Sequence, residues 1–408
     1  MIGRTQPAFG NALPAFGNAL KDGTCPVYVR YRCPQTLRTY RLLAREVGCA
    51  KALALFSCLT RLCIVEMGLG NEEVFAKMTR VRVALRVPVG RPLPDLAAFI
   101  VRCEQAGFDG VGIHDHPSSG RDVYLALALA GQATRRLRLF PATSSPLVRH
   151  PLVLASLAHS LDEIAPGRTH LTVAPGFIST RSVGKRPAAV AVMREAIRDL
   201  RRLLSGEDVW FGPTSTQLRN RSATPIPVYL LAAGPRMIEL AGEVADGALL
   251  MVGLHSASIR AALRHLQEGA RRAGRSLTGF PVVFVITLGL GSDTDVGTRW
   301  VRSWFAPGQP FLAYPSASNL YWLKQVGFAL EPAHDPAAIP ENQAQQIADA
   351  FGLFGPPERC AERLLQVREE AGVEHVFLFP AHDLARGYEM PDAEVHAFES
   401  VIRPRLGG

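Results

Sequence analysis

Cysteines, long apolar runs and basic surface stripes are all scarce in this sequence of 408 residues. Its 7 cysteines are too few for a disulfide scaffold, and they form no C-x-x-C pair, which disfavours a zinc site. The most apolar run, Ala52–Val65, has 14 residues and contains Arg61, so it is too short and too charged to span a bilayer. No basic start precedes an apolar run in the manner of a secretory signal. We therefore expect a cytoplasmic protein that does not associate with membranes.

Motifs that mark an activated nucleophile are absent as well. The sequence has no G-x-S-x-G, no P-loop and no H-E-x-x-H. No G-x-G-x-x-G follows the first predicted strand, which argues against a Rossmann domain. The run His114-Asp115-His116 suits a metal ion by composition, but adjacent side chains on an extended chain point to opposite faces. We therefore expect no metal site.

The positive charge of the chain is unevenly distributed. Lys and Arg number 45 against 36 Asp and Glu, and residues 1–80 hold 11 of the basic and 5 of the acidic residues. The rest of the chain is therefore close to neutral. It shows no basic face with interleaved aromatic residues, so we expect no nucleic-acid partner.

Residues 1–80 differ from the rest of the chain in composition. The heptapeptide PAFGNAL at residues 7–13 is repeated at once at residues 14–20, and five of the seven cysteines lie before residue 64. The repeat is too short for a coiled coil or a solenoid unit. We expect residues 1–80 to be an irregular or helical extension. We also expect Met78 to be the natural start, with residues 1–77 a misassigned upstream translation or a dispensable tail.

From Val81 onward, short β-branched runs alternate with amphipathic segments of helix length. Eight runs predict strands, which are Arg82–Val87, Gly110–Ile113, Leu137–Phe140, His170–Ala174, Val228–Ala232, Ala248–Val252, Pro281–Leu288 and His375–Phe379. Seven segments predict helices, which are Leu93–Ala106, Val123–Ala133, Leu152–Ile164, Pro187–Leu204, Arg236–Ala245, Ser258–Ala273 and Glu358–Ala371. Two helices end at a glycine, Gly107 or Gly372, that suits the left-handed conformation after a helix.

Repeated βα units predict parallel strands with helices outside them. Eight units favour a closed (β/α)8 TIM barrel over residues 81–408 rather than an open doubly wound sheet. Two connections are long enough to be insertions, after strands four and seven. The first contains Phe177–Lys185 and an excursion around Trp210 and Phe211, and the second contains the aromatic-rich Pro307–Pro340. Long loops at the C-terminal side of a barrel usually form the substrate wall.

Unusual residues follow four of the predicted strands. They are the segments His114–His116, Pro141–Pro146, Ala174–Phe177 and Ala233–Met237. On a βα barrel all four loops converge on one mouth, where active sites are built. The last segment places a glycine turn, a proline and an arginine at a helix N-terminus, which suits a phosphate or carboxylate, although an ordinary βα turn would look alike. An anion clamp without an assembled catalytic set indicates chemistry carried by a bound cofactor.

Four segments resemble the bacterial luciferase-like monooxygenase superfamily. They are Gly107–His116, Pro146–Pro151, Ser160–Arg168 and the pair Ala233–Pro235 with Ala241–Ala248. The last pair is most similar to the branch that depends on coenzyme F420, a deazaflavin, and that includes methylenetetrahydromethanopterin reductase. The resemblance extends from about Val81 to Leu406, and residues 1–80 have no counterpart.

The resemblance implies a barrel that binds F420, or alternatively FMN, at the C-terminal ends of its strands. It implies that His116 is the catalytic proton donor or acceptor beside the reacting ring, and that His114 and Asp115 contact the cofactor. It implies that Ala142 and Thr143 also contact the cofactor, through a cis peptide bond between them that supports the bent ring. Further residues are implied to line the ring and its side chain, namely Ser145, Pro175 and Gly176. Four residues are implied to hold the phosphate, namely Ala233, Gly234, Arg236 and Met237.

One position departs from the family pattern. Phe177 stands where a sugar-phosphate dehydrogenase of the family has a catalytic glutamate, so oxidation of a sugar phosphate by the same acid–base pair is not expected. We expect an oxidoreductase that transfers a hydride between the cofactor and a small organic substrate. The alternatives are an FMN-dependent monooxygenase that reduces molecular oxygen and a flavin-binding barrel without turnover. Dimers are common among such relatives, so the oligomeric states left open include a homodimer.

Overall fold

The computed structural model describes residues 80–407 except 221, 223, 294, 305–315, 331–337 and 382–387. The unit that contains these residues spans Thr79–Gly408. The expectations for residues 1–77, and for much of Pro307–Pro340, lie outside the described residues. Within the described ranges, no helix combines the length and the apolar character that crossing a membrane requires.

A barrel of parallel strands is the central feature of the fold. The strands in chain order are β1 (Arg82–Val87), β2 (Gly110–Ile113), β3 (Arg138–Pro141), β4 (Leu171–Val173), β5 (Val209–Phe211), β6 (Thr214–Thr216), β7 (Val228–Ala232), β8 (Gly247–Leu250), β9 (Val282–Leu290), β10 (Gly352–Gly355) and β11 (His375–Pro380). Eight of them pair in the order β3-β2-β1-β11-β9-β8-β7-β4. Bridges between Leu139 and Thr169 and between Ser144 and Val173 join β3 to β4 and close the ring. The predicted (β/α)8 TIM barrel is confirmed.

Helices surround the barrel strands. In chain order they are α1 (Leu93–Ala106), α2 (Val123–Ala133), α3 (Pro151–Ile164), α4 (Ile178–Arg181), α5 (Val190–Ser205), α6 (Pro235–Val244), α7 (Ser256–Arg272), α8 (Val296–Trp304), α9 (Ala317–Gln325), α10 (Glu341–Phe351), α11 (Pro357–Ala371), α12 (Asp392–Ala397) and α13 (Arg403–Arg405). All seven predicted helices are present, and two of them, α1 and α2, have the predicted bounds. The left-handed glycines are confirmed, with φ of 92° at Gly107 and 66° at Gly372.

The two predicted insertions contain secondary structure of their own. After β4 the chain forms α4, α5 and the antiparallel hairpin β5–β6, which carries the exposed Trp210. After β9 it forms α8, α9, α10 and β10, and β10 adds a parallel strand beside the end of β9. The sequence predicted neither the hairpin nor β10 as strands.

Side-chain alternation along the strands divides the core into two layers. Outward-facing residues such as Leu85, Ile113 and Leu230 pack with the helices in the larger cluster. Inward-facing residues such as Ala84, Phe140 and Phe377 form a smaller cluster that fills the barrel. The barrel is therefore packed inside, and a ligand has to bind at one of its ends.

Candidate active site

The sequence-predicted site residues occupy one half of the barrel mouth. They follow the C-terminal ends of β2, β3, β4 and β7, and these four strands are neighbours around the ring. The other half of the mouth is formed by the ends of β8, β9, β11 and β1. An elongated ligand that runs from His116 to Gly234 would therefore pass over four adjacent strand ends.

A buried ion pair fixes the loop after β2. The carboxylate of Asp115 accepts hydrogen bonds from Arg149 Nε at 2.9 Å and Nη2 at 3.0 Å. Ser144 Oγ donates a third, at 2.6 Å, and Tyr124 lies 2.9 Å from the same hydroxyl oxygen. Arg149 also reaches Asp122 Oδ2 at 2.7 Å. Asp115 is only 6% exposed, so its carboxylate mainly ties together the loops after β2 and β3.

The charges of this network stabilise one another. Burial acts against the charged form of Arg149, yet the hydrogen bonds and charges of Asp115 and Asp122 raise its pKa above the ordinary arginine value. Burial likewise acts against the Asp122 carboxylate, but Arg149 and the backbone N–H groups of α2 leave its pKa below the usual range. Asp122 is also the N-cap of α2, where it accepts from the N–H groups of Tyr124 and Leu125.

A buried guanidinium lies beneath the loop after β2. Arg86 is on the inward face of β1, two residues after Ala84, and is 4% exposed. Its Nε donates to His114 Nε2 at 2.7 Å, its Nη2 lies 2.8 Å from His114 Nδ1, and it covers the Phe379 ring at 4.3 Å. Burial lowers the pKa of Arg86 to about 9. Burial and the charge of Arg86 together hold the pKa of His114 well below its usual value, so this imidazole is neutral.

His116 has one paired and one unpaired nitrogen among the described residues. Its Nδ1 is hydrogen-bonded to the hydroxyl of Tyr388, and the two rings lie 5.9 Å apart at 30°. Its Nε2 is buried and has no hydrogen-bond partner in the described part of the chain. Burial lowers the pKa of His116, and Arg86 lowers it further, while Asp115 acts in the opposite direction.

The loops after β3 and β4 lie against each other. The peptide bond between Ala142 and Thr143 is cis, as the family resemblance implies. Ser145 is 2% exposed, and its hydroxyl lies 3.5 Å from the carbonyl oxygen of Pro175. Gly176 has φ of 86°, and a Cβ there would lie 3.0 Å from Ser145 Oγ and 2.3 Å from Thr180 Cγ2. Only glycine suits this close approach.

The turn after β7 presents a helix N-terminus to the mouth. Gly234 is the N-cap of α6, and no side chain caps this helix among the described residues. The exposed Arg236 lies in the first turn of α6, and Met237 packs partly against the core. Trp322 of α9 is fully buried and donates its Nε1–H to the Ala233 carbonyl at 2.7 Å, which fixes the turn. An uncapped helix N-terminus with an arginine in its first turn is of the kind that suits an anion.

The second half of the rim contains a cavity of about 650 Å³. Its lining includes Gly90 after β1, Gly289 at the end of β9, Tyr388 and Met390. The cavity therefore lies beside the tyrosine whose hydroxyl bonds His116. Phe177, at the start of α4, is 42% exposed on the other side of the mouth.

Sequence reasoning assigned no individual role to Arg86, Ser144, Arg149 or Tyr388. The alternation of side chains along β1 could have placed Arg86 inside the barrel, because residues two apart face the same side and Ala84 faces inward. Tyr388 is 272 residues away from His116, and no local pattern links the two. Among the residues that the structure describes, no group of three or more side chains could hold a metal ion.

Comparison with known proteins places these features in context. A family model described as luciferase-like monooxygenase matches residues 75–375. A 5,10-methylenetetrahydromethanopterin reductase of Methanolobus tindarius is 28% identical over 293 residues, covering 67% of this chain and 86% of the relative. An F420-dependent glucose-6-phosphate dehydrogenase of Beutenbergia cavernae is 30% identical over 338 residues, covering 76% and 93%. The structure of the coenzyme F420-dependent tetrahydromethanopterin reductase of Methanopyrus kandleri superposes with a TM-score of 0.62 at 21% identity, covering 80% and 99%.

Proposed function

Because the chain belongs to the luciferase-like monooxygenase family, we propose that it is an F420-dependent oxidoreductase acting on a small organic substrate. The observation that carries this proposal is the arc of site residues over four adjacent strand ends, which stops at the uncapped N-terminus of α6. The similarity to F420-dependent glucose-6-phosphate dehydrogenases supports the choice of F420.

The described residues fit a flat ring with a phosphate-bearing tail. At Gly234 a Cβ would lie 3.0 Å from Ser318 Oγ, so a side chain there would fill the space in front of α6. The uncapped first turn of α6 and the exposed Arg236 supply positive charge for a phosphate. Gly176 keeps the loop after β4 flat beside Ser145. We assign the ring to the segment His114–Gly176 and the tail to Ala233–Met237.

The protein's own share of the reaction is positioning, exclusion of water and control of one proton. When bound, the cofactor supplies a hydride donor or acceptor, which no amino-acid side chain provides. The Asp115–Arg149 pair holds the loop that carries His116 in place. His116 presents Nε2 as the hydrogen-bonding group toward the substrate. His114, whose pKa is lowered by its burial and by Arg86, stays neutral and adds no charge beside the ring.

The substrate would approach from the half of the mouth that the site residues leave open. The described side chains in that half include the apolar or aromatic groups of Phe379, Met251 and Tyr388. The apolar Phe177 on the other side of the mouth provides no carboxylate for acid–base work on a sugar phosphate. The lack of that carboxylate favours a carbonyl, imine or secondary alcohol as substrate over a phosphorylated sugar.

Turnover assays test the proposal. The purified full chain is assayed for F420 reduction by secondary alcohols and by glucose 6-phosphate, and for oxidation of reduced F420 by carbonyl and imine compounds. We expect turnover in at least one of the alcohol, carbonyl or imine assays and none with the sugar phosphate. Turnover only with reduced FMN, accompanied by oxygen consumption, would favour the monooxygenase alternative. Binding of cofactor with no turnover in any assay would favour a non-catalytic flavin-binding barrel.

Two substitutions separate chemistry from binding. His116→Gln should lower kcat by roughly a hundredfold or more with little change in F420 affinity, because it removes the proton-handling group. Arg236→Ala should weaken F420 binding by roughly tenfold with a smaller effect on kcat, because it removes one charge-assisted contact to phosphate. If both variants keep wild-type kinetics, the assignment of these residues is wrong.

A further inference from the structure

The orphan nitrogen of His116 points to an unassigned role for its neighbour. Nε2 of His116 is buried and has no partner among the described residues, while Nδ1 is hydrogen-bonded to Tyr388. A neutral imidazole carries a single proton, and the bond made by one nitrogen decides which nitrogen carries it. Tyr388 therefore determines whether Nε2 is a donor or an acceptor.

Contacts of both its side chain and its backbone hold Tyr388 in place. The Ser118 side chain hydrogen-bonds the hydroxyl, in addition to its bond with His116. On the main-chain side, a Cβ at Gly90 would lie only 1.9 Å from the carbonyl oxygen of Tyr388. The tyrosine backbone therefore packs directly on the loop after β1. With 39% of its surface exposed, Tyr388 also borders solvent.

The hydrogen-bonded pair of Tyr388 and His116 holds two protons, one on the tyrosine hydroxyl and one on the ring. Burial raises the pKa of Tyr388, so its hydroxyl is protonated at neutral pH. Burial and Arg86 lower the pKa of His116, so its ring is neutral. A phenol is a stronger hydrogen-bond donor than a neutral imidazole N–H, and an imidazole nitrogen is a stronger acceptor than a phenol oxygen. Tyr388 therefore donates to Nδ1, and the ring proton resides on Nε2.

We propose that Tyr388 is a positioning residue that keeps the proton of His116 on Nε2 and gives its own proton to Nδ1 during turnover. This inference rests on the oxidoreductase function proposed above. When a hydride adds to the carbon of a C=O or C=N bond, the π electron pair moves onto the heteroatom, which takes the proton from Nε2. The Tyr388 proton moves to Nδ1 at the same time, so the imidazole stays neutral.

The remaining charge rests on Tyr388 after this step. The phenolate oxygen keeps its hydrogen bond from Ser118 and lies in the positive field of Arg86, both of which favour the charged form. After the product leaves, a water molecule protonates Nε2 and the Nδ1 proton returns to the phenolate oxygen of Tyr388. Both groups are then restored, and the hydroxide that remains is neutralised by the bulk solvent. In the oxidation of an alcohol the same transfers run in reverse.

The tautomer of His116 can be measured without cofactor or substrate. Nuclear magnetic resonance of the full chain carrying nitrogen-labelled histidine distinguishes a protonated ring nitrogen from a bare one, and His116→Gln identifies the signal. We expect the wild type to carry the proton on Nε2, and Tyr388→Phe to shift a substantial fraction of His116 to the Nδ1–H form. A wild-type proton on Nδ1, or an unchanged tautomer in Tyr388→Phe, overturns the proposal.

A matched control and a second variant sharpen this test. Tyr321 makes a similar hydrogen bond to Nε2 of His265, at 2.9 Å, on the outer helices. Tyr321→Phe should therefore change the His265 signal and leave that of His116 as in the wild type. Gly90→Ala keeps both site side chains but displaces the Tyr388 backbone, and it should alter the His116 tautomer as Tyr388→Phe does. If the His116 signal in Gly90→Ala is the same as in the wild type, the packing of Tyr388 on Gly90, on which the proposal depends, is contradicted.

Kinetics distinguish failure of this inference from failure of the proposed function. Tyr388→Phe should lower kcat by roughly tenfold to a hundredfold with a smaller change in KM, because substrate binding does not need the hydroxyl. If F420 supports turnover and Tyr388→Phe keeps the wild-type kcat, the relay is wrong and the function stands. If the tautomer shifts as expected but no F420-dependent turnover exists, the hydrogen-bond assignment stands and the function is wrong.

Discussion

At the scale of single residues, the Asp115–Arg149 pair shows how the mouth is held in shape. The two side chains are 3% and 17% exposed, and they are joined by two parallel hydrogen bonds. Such a buried, bidentate pair fixes the geometry of the loops but adds little net free energy of folding, because both charged groups lose hydration when they are buried. Removing one partner is nevertheless costly, because the other charge stays buried.

Asp115→Asn should lower the free energy of unfolding by about 2–3 kcal/mol, because Arg149 would keep only Asp122 as an anionic partner. Urea unfolding of both proteins, monitored by circular dichroism, measures this difference. Glu268→Gln, which removes a surface pair with Arg271, is the control and should change stability little. A stability loss no larger than that of the control would show that the buried pair does not hold the loop.

The same scale shows why much of the site was beyond sequence reasoning. Local motifs predicted which residues gather at the mouth, since strand ends of a βα barrel converge there. They could not show that Asp115 is bound by Arg149, because the two residues are 34 positions apart and no local pattern encodes the contact. The Tyr388–His116 bond depends on the closed ring, which brings β11 and the chain after it beside β1 and β2.

At the scale of elements, left-handed glycines end two of the helices shortly before the next strand begins. Gly107 and Gly372 both adopt positive φ and follow α1 and α11. The repeated pattern of helix, glycine and β-branched run made these two boundaries predictable. By contrast, β10 follows α10 without any turn between them, so its four residues carry no separate local signal. The hairpin β5–β6 is too short for alternation to identify it.

The two glycines should differ in their tolerance of alanine. Gly372→Ala should cost about 1 kcal/mol, because a side chain adopts the left-handed conformation unfavourably but meets no atom within 4 Å. Gly107→Ala should cost slightly more, because its Cβ would lie 2.5 Å from the guanidinium of Arg403, which must move and give up its hydrogen bond to the Ala106 carbonyl oxygen. Thermal and urea unfolding of the two variants measure the difference. Equal stability of both variants would show that displacing Arg403 has no cost, against this prediction.

At the scale of the whole molecule, two neutral histidines are built into the barrel. His170 lies between the rings of Phe140 at 4.4 Å and Tyr229 at 4.3 Å, inside the barrel. Burial first, and neighbouring positive charges second, lower the pKa of His170 and of His375 to about 3. The folded protein therefore keeps both rings uncharged at pH values where the unfolded chain protonates them.

Stability should therefore fall as the pH falls below the pKa of an unfolded histidine, about 6.5, and the loss should continue toward about pH 3. Each histidine should contribute roughly 1.4 kcal/mol per pH unit, because the unfolded state binds one more proton. Urea unfolding between about pH 6 and about pH 4.5 measures the slope. His170→Gln should flatten it, and His396→Gln, at an exposed position, is the matched control. A slope unchanged by His170→Gln would contradict the buried neutral ring.

The architecture of the molecule was the most predictable feature. Eight strand-like runs with helices between them leave few topologies, because βα units repeat with one handedness and eight of them close a ring. The interior chemistry was less predictable. Arg86 and His170 occupy inward positions that the sequence pattern would assign to apolar side chains, and their burial depends on neighbours from other strands.

Equilibrium binding of F420 tests the central claim that one half of the mouth holds the cofactor from the loop after β2 to the start of α6. The full chain, Arg236→Ala and the control Arg271→Ala, whose arginine lies at the far end of α7, are titrated with F420 and with FMN by fluorescence. We predict that the wild type and Arg271→Ala bind F420 equally and more tightly than FMN, and that Arg236→Ala binds it roughly tenfold more weakly. An F420 affinity that is absent, or the same in all three proteins, would contradict the account.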